Sequence, residues 1–567
     1  MMDIDGMCID NLKSYHECLD EISDNSLFEG LLGYGLFAEK IPSFLSSESF
    51  FKFCKSNNPD FKQKNFLYIK YENMRNINVP RLLAIPNPFA YYKQCQILKD
   101  NWNHIKKYFR DKTKDNNYKI SRIHIRKIYN KKYIFELNSF HYEEANELFR
   151  MNYKPHKKDG NPEQNIIIGK KYLIKADISN YFSSIYTHSI PWALIGKQEA
   201  KKDKNKKDVW YNEIDKRTRW LNNNETQGIL IGPHTSNLIS EIILVSVDNE
   251  ISKKYQYIRN IDDYSCYVET EEKAKQFLID LSQELKKFNL SLNHKKTEII
   301  QLPISFDNDW TRKLKLFKLE TYSDEGSKTD KINYKTVALL LDTAIELMKE
   351  NKNNTSILNY TIKILLGYDM SLNAKKYFIN IVHHLTLIYP YLIFLLENIF
   401  DSKSLGLKIK QISDDPYSKF LYLKIKQISD DIFQLGLKTK NYEAMSYAIY
   451  FSLKYDFKLN QKNLLKEAKH QEDCIFMLLC YIYDKKYFKN NKDKFQEYIN
   501  IAKSFIVQES INLKVLNDEF WLFAYEVLRL EDPNALNVCN DWKQLHDNQI
   551  SFVLFEKINL IKYKKSD

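Results

Sequence analysis

Glycine is scarce in this chain, with 13 among 567 residues. Gly228 and Gly232, which share one short segment, therefore stand out as places where the backbone must come close to something. Cysteine is thinly scattered. The eight (Cys8, Cys18, Cys54, Cys95, Cys266, Cys474, Cys480 and Cys539) never form a CxxC pair. That excludes a Cys-pair zinc site and a disulfide framework, and it fits a reducing cytosol. The opening Met-Met-Asp-Ile-Asp-Gly-Met-Cys lacks the basic stretch and apolar core of a signal peptide. A membrane-grade apolar run is missing as well. The most apolar stretch, Tyr377 to Phe400, is interrupted by His383, His384, Pro390 and Glu397, so it reads as core helix rather than a span. The expectation is a cytoplasmic protein with no membrane segment.

What is present is an ordinary globular balance, 44% hydrophobic and 28% charged, with a net charge of +12. The length suits two or three domains, and the basic excess suits an anionic partner. Residues 1–165 mix short helical and extended pieces and read as an N-terminal, fingers-like region. They include Arg81-Leu-Leu-Ala-Ile-Pro-Asn-Pro-Phe-Ala-Tyr-Tyr and a run from Lys119 through Arg122, His124 and Arg126. The run alternates basic and apolar residues with period two, which predicts a strand. From 166 to 310 strand-like and helical stretches alternate. Residues 311–335 are polar and read as a connector. From 336 to 567 apolar residues recur at helical spacing, as in Val337, Leu340, Leu341, Ala344, Ile345 and Met348, which predicts an all-α domain. Leu-Lys-Ile-Lys-Gln-Ile-Ser-Asp-Asp occurs twice, at 407–415 and 423–431, a period too short for a helical-hairpin repeat. Amphipathic helices over this length fit a stacked helical array that scaffolds, binds or oligomerises.

Four motifs carry the chemistry. In Lys-Ala-Asp177-Ile-Ser-Asn-Tyr-Phe182 and in Tyr-Ile-Arg-Asn-Ile-Asp262-Asp263-Tyr, carboxylates sit within β-favouring runs. A strand with one Asp beside a hairpin tip with two would gather three carboxylates, which is stable around divalent cations; hard oxygen ligands suit Mg²⁺ or Mn²⁺. Two such ions clamp the attacking and leaving oxygens of a phosphoryl transfer. Asp177 would bind both metals, with the Ile178 carbonyl as a further ligand. Phe182 would pack under the sugar of the incoming nucleotide and exclude a 2′-hydroxyl. Adjacent strand residues point to opposite faces, so Asp262 is the direct ligand and Asp263 its support. Alone, Asp177 could equally cap the next helix, and the Asp-Asp pair could be a solvated turn.

The other two motifs flank these. In Glu225-Thr-Gln227-Gly228-Ile-Leu-Ile-Gly232-Pro, Gly228 admits a flat ligand and Gln227 can donate to phosphate or sugar; the bland alternative is a glycine turn before a helix. In Leu290-Ser-Leu-Asn293-His-Lys-Lys296-Thr297, Lys296 could protonate a pyrophosphate leaving group, or be a surface lysine. Arg122 and Arg126 are candidates for gripping a triphosphate, since Arg donates bidentately to phosphate; a solvated strand face is the alternative. The run Lys197 to Lys207 reads as a solvated loop.

Taken in order, these motifs resemble the palm of reverse transcriptases over about residues 166–305. Finer details resemble the abortive-infection type of bacterial phage defence: Tyr186-Thr-His188-Ser-Ile-Pro191-Trp192, Gly232-Pro233, and Ile-Pro86-Asn-Pro88. The resemblance implies α+β fingers and palm followed by an all-α, HEAT-like helical-repeat domain in place of a thumb. It implies an RNA-directed DNA polymerase-like nucleotidyltransferase using two Mg²⁺ or Mn²⁺ ions and dNTPs. Its product would be single-stranded DNA, primed on the protein and made without a template. Asn260 stands where reverse transcriptases usually carry a Tyr that supports the primer end, which accords with protein priming. Tyr34, in Leu-Leu-Gly-Tyr-Gly-Leu-Phe, is one candidate primer among 39 tyrosines. Homo-oligomers, trimeric or hexameric, are also implied. Two alternatives stand beside this reading: cDNA synthesis templated by a bound non-coding RNA, and a catalytically silent nucleic-acid-binding scaffold.

Overall fold

The computed structural model describes residues 15–37, 40–62, 66–76, 79–114, 118–128, 148–154, 162–206, 208–305, 308–322, 330–402, 404–406, 415–461, 463–470, 472–510 and 513–560. At its centre is a five-stranded sheet in the order β3-β7-β8-β6-β9. The strands are β3 (Lys119–Ile120), β6 (Tyr172–Asp177), β7 (Tyr257–Asn260), β8 (Asp263–Val268) and β9 (Glu298–Gln301). All neighbours are antiparallel except β3 and β7, which are parallel. In β6 the buried Leu173, Ile174 and Ala176 explain why this run extends rather than coils: both faces are covered, as its nearly continuous apolar sequence requires.

One cover is the helix His234–Ile251, whose buried residues include Leu238, Ile239, Ile242, Ile243, Val245 and Val247. A helix that is apolar all round belongs in a core. The amphipathic helix Glu271–Lys287, capped by the Thr270 side chain on the Lys273 N–H, buries Ala274, Phe277, Leu281 and Leu285. Upstream lies an antiparallel hairpin, β1 (Tyr68–Met74) and β2 (Pro80–Pro86). The helix Pro88–Asp100 follows it, with Pro88 in its first turn and Asn87 as N-cap. The alternating basic run is a strand as expected, β4 (Arg122–Ile128), paired with β5 (Leu148–Lys154).

Beyond residue 334 the chain is mainly helical, and successive helices pack on one another, as Pro416–Thr439 does on Tyr442–Tyr455. Two small strand pairings break the all-α expectation. Ile506–Ser510 pairs with Leu513–Leu516, and Lys331–Ile332 lies between Thr321–Tyr322 and Asp369–Met370. The connector is also partly ordered, since a helix runs from Asp309 to Leu316. The apolar stretch 377–400 is broken by Pro390 into a helix ending at Ile388, a 3₁₀ turn and a short helix Leu396–Phe400. Among the described residues no helix is long and apolar enough to cross a membrane. The second copy of the nine-residue repeat lies inside the helix Pro416–Thr439; most of the first copy falls outside the described residues.

Candidate active site

The β6–β8 register sets Asp177 directly opposite Asp263. Asp262 occupies the two-residue turn between Asn260 and Asp263, which pair with each other. The tight hairpin defeats simple strand alternation. Both adjacent aspartates feel the Asp177 charge. Burial, then the charges of Asp262 and Asp177, push Asp263 up to about 6. Burial first, and Asp177 after it, also hold Asp262 above the usual carboxylate range. Like charges set directly opposite on neighbouring strands are destabilising, so this cluster calls for a cation.

One cation is already there. Lys296 donates from Nζ to Asp177 Oδ2 at 2.7 Å, and Asn293 donates from Nδ2 to Oδ1 at 3.1 Å. The bond to Asp177 raises the lysine above its ordinary pKa. The Lys-Thr turn is tied to β6 by its backbone too, the Asn293 N–H donating to the Asp177 carbonyl at 2.7 Å. Among the described residues no group of three or more Asp, Glu, His or Cys side chains is arranged to hold an ion as it stands. Asp177 and Asp263 stand opposite in register with Asp262 at the adjoining turn, and Asp177 is turned toward Lys296 and Asn293. Hard carboxylate oxygens under mutual repulsion fit Mg²⁺ or Mn²⁺, which would compete with the Lys296 ammonium for Asp177.

The hairpin tip is held from below. Ile261 has φ of 57°, a left-handed conformation that a β-branched residue rarely adopts and that costs on the order of 1–3 kcal/mol. Arg259, fully buried, donates from Nη1 to the Ile261 carbonyl at 2.7 Å. Its guanidinium also meets Glu241 in two bonds of 3.0 Å and Asp248 through Nε at 2.8 Å. Glu241 and Asp248 lie two turns apart on one face of the helix His234–Ile251. Burial raises the pKa of both carboxyls, and together they keep Arg259 protonated against its own burial. Arg259 was not singled out in the sequence; an Arg so near an Asp-Asp pair in an apolar strand was the available signal.

The glycine turn also has a structural job. The Gln227 amide donates to the carbonyls of Ser183 at 3.3 Å and Ser184 at 3.0 Å. Gly228 has φ of 85°, and a Cβ there would lie 3.2 Å from the Ser183 carbonyl oxygen. The close approach that needs glycine includes the backbone after β6. The Gly228 N–H donates to Ile185 and the Ile229 N–H to Phe182, which fixes the short helix Tyr181–Ser184. Phe182 on that helix is half-buried against the core. The Ile178 N–H donates to the Asp262 carbonyl at 3.2 Å, which locks the start of this segment to the hairpin tip.

Other expected residues lie on other elements. Arg122 and Arg126 are on β4, which belongs to a separate two-stranded sheet; their side chains fall outside the described residues. Arg81, quoted in the sequence but given no role, acts on Asp262 electrostatically from the start of β2, after the stronger influence of Lys296. Tyr34 is half-buried in the turn after Glu29–Gly33. Its neighbour Gly35 packs so tightly that a Cβ would lie 2.7 Å from His234 Cβ.

Residues 112–334 match the family model described as reverse transcriptase (RNA-dependent DNA polymerase). Among solved structures, apo telomerase from Candida tropicalis aligns at 11% identity with a TM-score of 0.27, over 88% of this chain and 71% of that one. A likeness that low carries no argument. No curated protein matches the chain. The motif order and the sheet that presents the aspartates agree with this match, and residues 112–334 are similar to the reverse transcriptase family.

Proposed function

We propose that the chain is a DNA polymerase that extends a strand with dNTPs, that it acts in phage defence, and that it primes on itself without a template. The observation that carries the polymerase reading is the Asp177–Asp263 pair with Asp262 at the adjoining tip. Asp177, Asp262 and Asp263 would hold the two Mg²⁺ or Mn²⁺ ions, with the Ile178 carbonyl adding a ligand. When bound, such ions activate the attacking hydroxyl and neutralise the leaving pyrophosphate.

The chain's own residues do the rest. Lys296, kept protonated at the edge of the cluster, supplies a proton or a charge to the leaving group. Arg81 faces the same tip from β2, where a triphosphate tail would need a counter-charge. Phe182 lies on the helix that Gln227 and Gly228 hold in place, where its ring would exclude a 2′-hydroxyl. The defence role and protein priming are supported by the abortive-infection motifs around Tyr186 and Gly232, and by Asn260, an exposed residue at the hairpin in the primer-supporting position. A helical-repeat domain in place of a thumb, and assembly into trimers or hexamers, belong to the same proposal.

The test is incorporation of each labelled dNTP and rNTP by the purified chain with Mg²⁺, with and without RNase pretreatment. Products are resolved before and after proteinase digestion. Label that travels with the protein and survives RNase supports the proposal. Label lost with RNase moves the reading to a templated enzyme, in keeping with the family description. Incorporation that persists in Asp262→Ala would overturn the site assignment.

A further inference from the structure

The β1–β2 hairpin is gripped along its length by the helical region, hundreds of residues away in sequence. Near its start, the Leu67 N–H donates to Asp518 at 2.9 Å, and Lys70 pairs with Glu519 at 2.7 Å. In its middle, Asn73 donates to one oxygen of the buried Glu443 at 2.5 Å, and the Met74 N–H donates to the other at 2.8 Å. At its tip, Asn76 donates to Asn354 at 3.0 Å and to Ser356 at 3.1 Å, while its carbonyl accepts from the Thr355 hydroxyl at 2.5 Å. Glu443 and Asn73 are each only 2% exposed. A buried carboxylate spent on one backbone and one side-chain donor is a costly fixture to place where a loose loop would do.

The same hairpin faces the candidate active site from its other strand. The Ala84 N–H on β2 donates to the Ile231 carbonyl at 2.8 Å, which joins the hairpin to the segment between Gly228 and Gly232. Arg81, three residues earlier on β2, lies within electrostatic range of Asp262. So β1 is held by the helical region, and β2 by the segment between Gly228 and Gly232.

We infer that the helical region is a built-in brace, and that Glu443 is a positioning residue which fixes the β1–β2 hairpin and so sets Arg81 over the nucleotide site. The inference rests on the polymerase reading for its functional half. Its physical consequence is that the hairpin is preorganised. Closure of this hairpin over an incoming nucleotide is then not a step of the cycle, and truncating Glu443 weakens nucleotide binding more than turnover.

Hydrogen–deuterium exchange of the full chain tests the brace directly. Residues 68–86 should be protected in the wild type to the same degree with and without dNTP and Mg²⁺. Glu443→Ala should raise exchange there while the palm strands stay protected. In the incorporation assay it should lower kcat/KM about tenfold to a hundredfold, mostly through KM. Asn354→Ala, at the hairpin tip, gives a milder version of the same pattern should Glu443→Ala fail to fold. A wild-type hairpin that exchanges freely and becomes protected only with nucleotide overturns the inference. So does protection that survives both substitutions, or a loss confined to kcat. A chain that binds and incorporates no nucleotide refutes the polymerase reading, yet the exchange experiment still decides the brace.

Discussion

Asp177 and Asp263 face each other across β6 and β8 in register, close enough that the Asp177 charge helps to push the Asp263 carboxyl up to about 6. Such a pair, with Asp177 buried and Asp263 at the exposed strand end, is tolerable because Lys296 and Asn293 engage Asp177. It leaves the metal-free protein under local electrostatic stress. Mg²⁺ or Mn²⁺ should therefore raise the melting temperature, a ligand at a hundredfold over its Kd adding about 2.7 kcal/mol. Asp263→Asn should remove incorporation, melt higher than wild type in EDTA, and lose most of its response to added metal. Equal metal responses in the two proteins would contradict the assignment.

Arg259 offers a sharper separation of stability from chemistry. Arg259→Met leaves Glu241 and Asp248 buried without their partner, and should cost about 3–5 kcal/mol in urea unfolding. Replacing all three, as in Arg259→Met with Glu241→Met and Asp248→Leu, should recover much of that loss, because an apolar set of similar volume avoids desolvation altogether. It should not recover incorporation, since the Ile261 carbonyl would still lack its anchor. Full recovery of both would show that the network serves folding alone.

Phe182→Ala should widen the nucleotide site beside the sugar. The expected result is a rise of about tenfold or more in the rNTP-to-dNTP ratio of kcat/KM, with dNTP use reduced only modestly. An unchanged ratio would mean that this ring does not face the sugar.

The helical region carries its own pH signature. Burial pushes both Glu443 and Asp473 up to about 7. The native chain thus keeps protons that the unfolded chain releases at ordinary carboxylate values. The stability these groups contribute is complete below about pH 4, the unfolded range. It is lost as pH rises through about 7. Glu443→Gln combined with Asp473→Asn should flatten the decline of the urea midpoint between pH 5.5 and 8.5; parallel curves would refute it.

Local patterns made much of this legible. The apolar run before Asp177 and the period-two alternation from Lys119 announced strands, and the three- and four-residue spacing after 336 announced helices. In each case the signal lies within one element. The glycine turn has a structural part that no local pattern announces. Gly228 and Gln227 serve the backbone of Ser183 and Ser184, a contact between segments more than forty residues apart that no spacing rule encodes. The two small strand pairings of the C-terminal half were missed because each holds too few residues to show a period.

By itself the sequence determined which residue types the candidate site holds: three aspartates, a lysine and a Gln-Gly turn in the order that reverse transcriptase motifs take, since residue type and local propensity suffice for that. Only the tertiary structure decided how the site is held. Arg259 with Glu241 and Asp248, and Glu443 against Asn73, are meetings of buried charges and amides from separate elements of the chain. Their partners are selected by desolvation, which requires every such group to find a counterpart once the core has closed.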